Sequence, residues 1–228
     1  VLLTPAHQFP TGVVLSPRRR AELISWVRAV DGVIIEDDYD AEFRYDREPV
    51  GCLQGVDPER VVLLGSVSKA LAPALRLGWM AAPPALAAAA AAYRAATDLG
   101  SPVIEQHALA HLIASGSYDR QLRLMRRIYR SRRDALVAAL YEHLPGARVS
   151  GISAGLHLHV ELPPRDQEAA LYEKSVREAA LALGVAVDPA NRAWSGQDRR
   201  AALVLSYSGL NEKRLAEAAE LLGRAVRR

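Results

Sequence analysis

Short apolar runs rich in β-branched residues punctuate the first third of the chain. Gly32-Val33-Ile34-Ile35 and Val61-Val62-Leu63-Leu64 are flanked by polar residues or glycine, the pattern of buried parallel strands. Val1-Leu2-Leu3-Thr4-Pro5 reads as another strand running straight into a loop. With no initiator methionine and no lead-in element before it, the sequence is expected to begin in mid-fold. Ser16-Pro17 supplies an N-cap and a proline at the first helical position, and Leu23, Ile24, Trp26 and Val27 give the following helix an apolar side through to Val30. Strand, helix, strand predicts a βα-type sheet whose ligand sites lie beyond the carboxyl ends of its strands.

After Pro83-Pro84 the pattern turns helical, through the alanine-rich stretch Leu86 to Ala96 and then Val103 to Ser115, with Gly116 as terminator. A longer helix is predicted from Tyr118 to Leu144, stopped by Pro145-Gly146. Alternation from Leu156 to Leu162 predicts a half-buried strand, followed by a helix from about Gln167 to Leu183. Val185-Ala186-Val187 and Ala202 to Tyr207 read as further short strands, and an amphipathic helix from about Asn211 to Val226 ends the pattern. The shift from sheet-with-helices to a smaller mixed unit places an expected boundary near Gly116, dividing the chain into residues 1–117 and 118–228. No internal repeat is present.

Composition narrows the partners rather than the fold. Half of the 228 residues are apolar, which excludes wholesale disorder. Twenty-nine basic against 26 acidic side chains leave a net charge of +3, no excess that demands a polyanionic partner. The single cysteine, Cys52, excludes an internal disulfide framework and is compatible with a reducing cytosol. The longest apolar stretch, Leu86 to Ala92, is too short to span a membrane, and the start lacks the order of a signal peptide. The expectation is a soluble cytoplasmic protein with no membrane partner.

The densest chemistry lies in Gly65-Ser66-Val67-Ser68-Lys69 and on to Arg76-Leu77-Gly78, just after an apolar strand. A lysine amine can form a Schiff base with an aldehyde when nearby positive charge or desolvation leaves it neutral often enough to attack. Ser66 can hydrogen-bond a phosphate oxygen, and Arg76 can hold two such oxygens in a planar fork. Read alone, the same residues fit a solvated loop with a surface ion-pair partner. Glu36-Asp37-Asp38-Tyr39-Asp40, read as the carboxyl end of the strand before, adds a carboxylate for a protonated pyridine nitrogen and a phenol for a ring oxygen. A solvated loop or an oxygen-ligand metal site is the alternative for that acidic run.

Three motifs, Thr4 to Gly12 (Thr-Pro-Ala-His-Gln-Phe-Pro-Thr-Gly), Glu36 to Tyr45 and Gly65 to Gly78, resemble in order and spacing the aminotransferase-like domain of MocR-type bacterial transcription regulators. These are chimeras within the GntR group that join a winged-helix DNA-binding domain to a class I/II aminotransferase domain. The resemblance runs along essentially the whole chain, including Arg123 to Leu140 and Leu205 to Leu210. It implies an α/β fold, the pyridoxal-phosphate-dependent transferase fold type I, aspartate aminotransferase-like. Residues 1–117 then correspond to the later part of the cofactor-binding large domain, and residues 118–228 to the small C-terminal α/β domain with its long connecting helix. It further implies pyridoxal 5'-phosphate as cofactor and Lys69 as the catalytic Schiff-base residue. Ser66 and Arg76 fall on the phosphate, Asp37 on the pyridine nitrogen and Tyr39 near the ring oxygen. Asp38 competes with Asp37, because adjacent strand residues point to opposite faces.

Departures from the family pattern qualify the activity. Phe9 stands where many aminotransferases of this fold carry asparagine before Pro-Thr-Gly, which favours the regulator branch. The arginine that usually holds a substrate carboxylate falls at Val204, with Arg192, Arg199 and Arg200 nearby as substitutes. The phosphate loop, the aromatic residue that stacks on the ring and the winged helix all belong upstream of Val1 in the family pattern, so DNA contact is expected only through a domain absent from this chain. Two functions follow from the resemblance. One is a regulatory module sensing a small-molecule amine or amino acid, a homodimer in the complete protein; the other is a class I/II transaminase acting on an amino acid. The arginine run from Arg120 through Arg123, Arg126, Arg127, Arg130 and Arg132 to Arg133 reads as the solvated side of an amphipathic helix, with a phosphate-backbone contact as the alternative. His157 with His159 reads as strand packing rather than a metal pair, His107 with His111 lacks the glutamate of a zinc-protease helix, and no metal is expected.

Overall fold

Parallel pairing of the first three strands sets the frame. In the computed structural model, which describes residues 1–40, 42–45, 51–194 and 200–227, the chain forms two compact units. The first comprises Val1–Gln8, Val14–Glu42 and a third segment ending at Met125. Its sheet has the order β1-β2-β3-β4, with β1 at Leu2–Leu3, β2 at Ile34–Asp38, β3 at Val61–Ser66 and β4 at Gly78–Ala81. The first three strands are parallel and β4 is antiparallel to β3.

Helix α1 (Pro17–Ala29) starts where the sequence predicts, the Ser16 hydroxyl accepting from the Arg19 amide. It covers one face of the sheet, bringing Ile24 and Val27 against Ile34, Leu53 and Val61. Each such side chain contributes about 1.5–3 kcal/mol by leaving water. On the other face, paired Leu2 and Ile35 stay exposed, as does Met80.

Strand β2 runs further than the apolar pattern suggests. The acidic run does not follow the strand; Glu36, Asp37 and Asp38 are part of it. Glu36 is buried, and its two carboxylate oxygens accept from the amides of Leu53 and Gln54, both at 3.0 Å. Those bonds replace the water an ionised side chain loses on burial. Strand β4 was not foreseen in the sequence either. Its close pairing needs two glycines: a Cβ at Gly78 meets the Gly65 carbonyl at 2.7 Å, and one at Gly65 meets the Trp79 ring at 2.3 Å. Helices α2 (Pro84–Asp98) and α3 (Val103–Ala114) bury no residue, leaving Tyr93, Ile104 and Ile113 exposed. Gly116, at φ +67°, ends α3 as expected.

Helix α4 (Ser117–His143) begins in the first unit and continues into the second. The second unit takes in Phe9–Val13, a segment starting at Phe43, and the chain from Arg126 onward. Its sheet, of order β5-β6-β8-β7, is antiparallel throughout, with β5 at Arg148–Ser150, β6 at His157–Glu161, β7 at Asp188–Pro189 and β8 at Ala202–Ser206. The expected strand at Val185–Val187 is displaced, since β-pairing reaches only Asp188 and Pro189. Helices α5 (Ala169–Ala182) and α6 (Glu212–Val226) complete the unit, α6 capped by the Asn211 side chain accepting from the Arg214 amide.

Leu140, Leu158, Leu203, Leu222 and Tyr207 are almost fully buried in this unit. The Tyr207 and Tyr45 hydroxyls both donate to the Gly155 carbonyl, Tyr45 at 2.8 Å. Buried Glu173 accepts from the Ala202 amide at 2.8 Å and the Asn191 amide at 3.3 Å. The arginine run on α4 is solvated only in part. Arg120, Arg123, Arg126, Arg127 and Arg130 are exposed, whereas Arg133 is buried, lies over the Tyr45 ring at 4.8 Å and donates to the Ile152 carbonyl. The planar guanidinium tolerates that burial because it stacks and hydrogen-bonds at once.

Candidate cofactor site

Because β1, β2 and β3 run parallel, their carboxyl ends open on one edge, and the segments following them carry the first unit's polar residues. Asp37 lies in β2 opposite Leu64 of β3, so Asp37, Leu64 and Ser66 share a sheet face. Asp38 pairs with Gly65 and shares the other face with buried Glu36. The two aspartates that the sequence leaves in competition therefore point to opposite sides.

Asp37 and Tyr39 are partly buried. Burial, and then the neighbouring Asp40 charge, hold the Asp37 carboxyl above its ordinary value. Burial first, then Asp40 and Asp37, push the Tyr39 phenol up strongly. The Tyr39 hydroxyl is shut off from solvent, and among the described residues it is reached only by an imperfect hydrogen bond to the Asp40 carboxylate, which acts on it first as a nearby negative charge.

Lys69 lies in the turn after β3, with its side chain exposed. Buried Val67 and Ala70 anchor that turn, and the Leu71 amide donates to the Val67 carbonyl at 2.8 Å. The Ser66 hydroxyl oxygen accepts from the Ser68 amide at 3.1 Å and lies 2.9 Å from the Ser68 hydroxyl. Arg76 has φ 52° and ψ 33°, a left-handed conformation that side-chain-bearing residues seldom adopt. Its guanidinium is exposed and makes no hydrogen bond or ion pair with a described residue. A hydroxyl, a carboxylate and a guanidinium thus lack the partners each calls for. That set fits a phosphorylated aromatic ring carrying a protonated nitrogen and an acidic oxygen.

One pair escaped the sequence reading. His7 Nδ1 lies 3.0 Å from Asp40 Oδ2, with side-chain exposures of 0 % and 3 %. Both residues stood inside recognised motifs; only the pairing of β1 with β2 joins them. Of the proposed substitutes for a carboxylate-binding arginine, Arg192 lies in a short 3-10 helix and Arg200 pairs with Glu161 at 3.4 Å. Arg199 lies outside the described residues. Val204 is in β8, opposite His159. His157 is buried and Phe9 meets its ring edge-on at 5.3 Å, a packing role. His107 and His111 are exposed on α3.

Residues 1–222 match the family described as aminotransferase class I and II. The chain belongs to that family. Within it, the chain is 35 % identical over 217 residues to the HTH-type pyridoxine biosynthesis transcriptional regulator PdxR of Corynebacterium glutamicum, covering 94 % of this chain and 46 % of that protein. It is 31 % identical to the probable rhizopine catabolism regulatory protein MocR of Rhizobium meliloti, covering 95 % of this chain and 43 % of that protein. Among solved structures, Pyrococcus horikoshii kynurenine aminotransferase in complex with PMP is similar, with a TM-score of 0.90 and 28 % identity, over 100 % of this chain and 55 % of that one. The resemblance to MocR-type regulators and the fold type I architecture both hold, and the chain is an aminotransferase-like domain homologous to those of such regulators. It spans about half the length of the curated relatives it matches. Among the described residues, no helix is long and apolar enough to cross a membrane.

Proposed function

We propose that this chain binds pyridoxal 5'-phosphate through Lys69 and serves as the effector domain of a MocR-type regulator. The observation that carries this reading is the set of under-partnered groups around the carboxyl ends of β2 and β3: Asp37, Tyr39 and Arg76. Asp37 meets the ring nitrogen, Tyr39 donates to the ring oxygen, and Ser66 and Arg76 hold the phosphate. When bound, the cofactor supplies an electrophilic aldehyde and an electron-withdrawing ring. The Lys69 Nζ supplies the nucleophile and afterwards a proton acceptor at the same atom.

In this reading, residues 1–117 form the later part of the large domain and residues 118–228 the small one. A small amine or amino acid that displaces Lys69 shifts a conformational equilibrium and repositions winged-helix domains outside this chain. A cytoplasmic homodimer is part of the proposal, and the apolar side chains exposed on α2 and α3 supply surface for contacts in the complete protein. Light scattering of that protein tests the dimer.

Borohydride reduction of the cofactor-loaded protein, followed by peptide mass analysis, tests the central claim. The pyridoxyl group is expected on Lys69; a label on another lysine, or none, sinks it. A transaminase is the second reading, favoured by the likeness to the Pyrococcus horikoshii enzyme. Val204, standing where the family's carboxylate-binding arginine falls, weighs against it. Half-transamination by an ordinary amino acid selects the enzyme.

A further inference from the structure

One edge of the second unit's sheet carries a recess that the cofactor contacts leave unused. Register sets Arg148, at the start of β5, opposite Glu161 at the end of β6, and Glu161 opposite Ala202 at the start of β8. Beside these strand ends lies a cavity of about 570 Å³, a size ordinary for small-molecule sites. Leu162, Pro163 and the Tyr172 ring give it an apolar wall, and Arg148, Arg165 and Arg200 bring three guanidinium groups. Among the described residues that line it, Glu161 is the one carboxylate, and it lies 3.4 Å from Arg200. Three positive charges against one negative leave the recess cationic.

Its donors are short of acceptors. The Arg148 guanidinium is exposed and makes no hydrogen bond or ion pair with a described residue. Arg165 is held in place, lying over the Tyr172 ring at 5.0 Å and donating to the Val226 carbonyl. Helix α5 starts at the same cavity, through Gln167 and Ala169. Its N-cap residue, Glu168, makes no side-chain capping bond and its first turn carries no acidic residue, so the open amides of a helix start keep their partial positive charge unanswered. Tyr172 is 2 % exposed, and its hydroxyl, shut off from solvent, has no hydrogen-bond partner.

We infer that this recess is a second ligand site, separate from the cofactor contacts, and that it takes a small phosphate monoester. A dianion answers the charge excess, guanidinium forks and a helix start both suit phosphate oxygens, and the apolar wall receives the organic body. A nucleic-acid backbone fits less well, because it tracks an open basic face rather than a recess with an apolar wall. The inference uses residues of the second unit alone and stands apart from the Lys69 reading.

Titration calorimetry with phenyl phosphate at low salt tests it. The chain carries Arg76→Ala throughout, so that the proposed cofactor contacts do not take up the probe. Saturable binding is expected. Arg148→Gln should weaken it about fivefold, and Arg148→Gln with Arg200→Gln about twentyfold, the product of two exposed charge contacts. Arg224→Gln removes the same charge from α6, away from the cavity, and should leave the Kd unchanged. Arg148, Arg200 and Arg224 are all exposed, so these variants keep the fold. Absence of saturable binding in the Arg76→Ala chain, or an Arg148→Gln effect no larger than that of Arg224→Gln, overturns the inference. Neither outcome touches the cofactor reading, which the borohydride label decides by itself.

Discussion

Two sets of buried polar groups, one in each unit, are treated differently. In the second unit one set is met by the backbone: Glu173 by the Ala202 and Asn191 amides, Tyr207 and Tyr45 by the Gly155 carbonyl, Arg133 by the Ile152 carbonyl, although the Tyr172 hydroxyl there makes no hydrogen bond with a described residue. In the first, Glu36 is met the same way, but Tyr39 and Asp37 are not. A polar group satisfied by its own backbone holds a fold together; one left desolvated and unmatched costs stability until a ligand arrives.

Substitutions can break that distinction. The largest effect is expected from Lys69→Ala, which abolishes the borohydride-stable adduct while shifting unfolding free energy by less than about 0.5 kcal/mol, the range for exposed positions. Next, Glu173→Ala strands two backbone amides and should destabilise the chain by about 3 kcal/mol in urea unfolding, with the cofactor contacts untouched. Equal destabilisation by both variants erases the contrast between the units.

Arg76→Ala removes a charged phosphate contact worth about 1.5–3 kcal/mol, roughly tenfold to a hundredfold in cofactor Kd. Equilibrium dialysis measures it, and an unchanged Kd removes Arg76 from the site. The smallest effect belongs to Asp37→Asn. Because burial holds the Asp37 carboxyl above its ordinary value, the folded chain prefers it protonated. Its ionisation therefore costs stability progressively as pH rises through that raised value, and the cost is absent in acid. Asp37→Asn should accordingly stabilise the cofactor-free chain at neutral pH by less than about 1 kcal/mol, since solvent screens a half-buried group. The gain vanishes below the ordinary carboxylate range, while cofactor binding weakens. Urea unfolding at the two pH values decides it, and a loss of stability at neutral pH contradicts the assignment.

Local signals carried much of the fold. Ser16-Pro17, Asn211, Gly116 and Pro145-Gly146 mark helix ends through chemistry confined to a few residues, and each mark stands. What escaped depends on distant partners. Strand β4 exists because Gly65 and Gly78 let two backbones meet, and β2 continues through three acidic residues because Glu36 finds amides at Leu53 and Gln54. Arg133 is buried because Tyr45 lies beneath it. The candidate site divides along the same line. The lysine, serine, arginine and acidic run were legible as residue types suited to one ligand, but which aspartate faces which side needed the pairing of β2 with β3. The His7–Asp40 contact needed β1 beside β2.

The Gly155 carbonyl, receiving phenols from Tyr45 and Tyr207, ties a short excursion of the chain into a unit whose main body begins some eighty positions later. Phe43, fully enclosed and edge-on to Tyr129 at 5.0 Å, belongs to the same excursion. No single cut in the polypeptide can therefore liberate the second unit whole. A clone started at the long helix discards two wall pieces of its own interior, and dissection of this molecule has to proceed by grafting segments rather than by trimming an end.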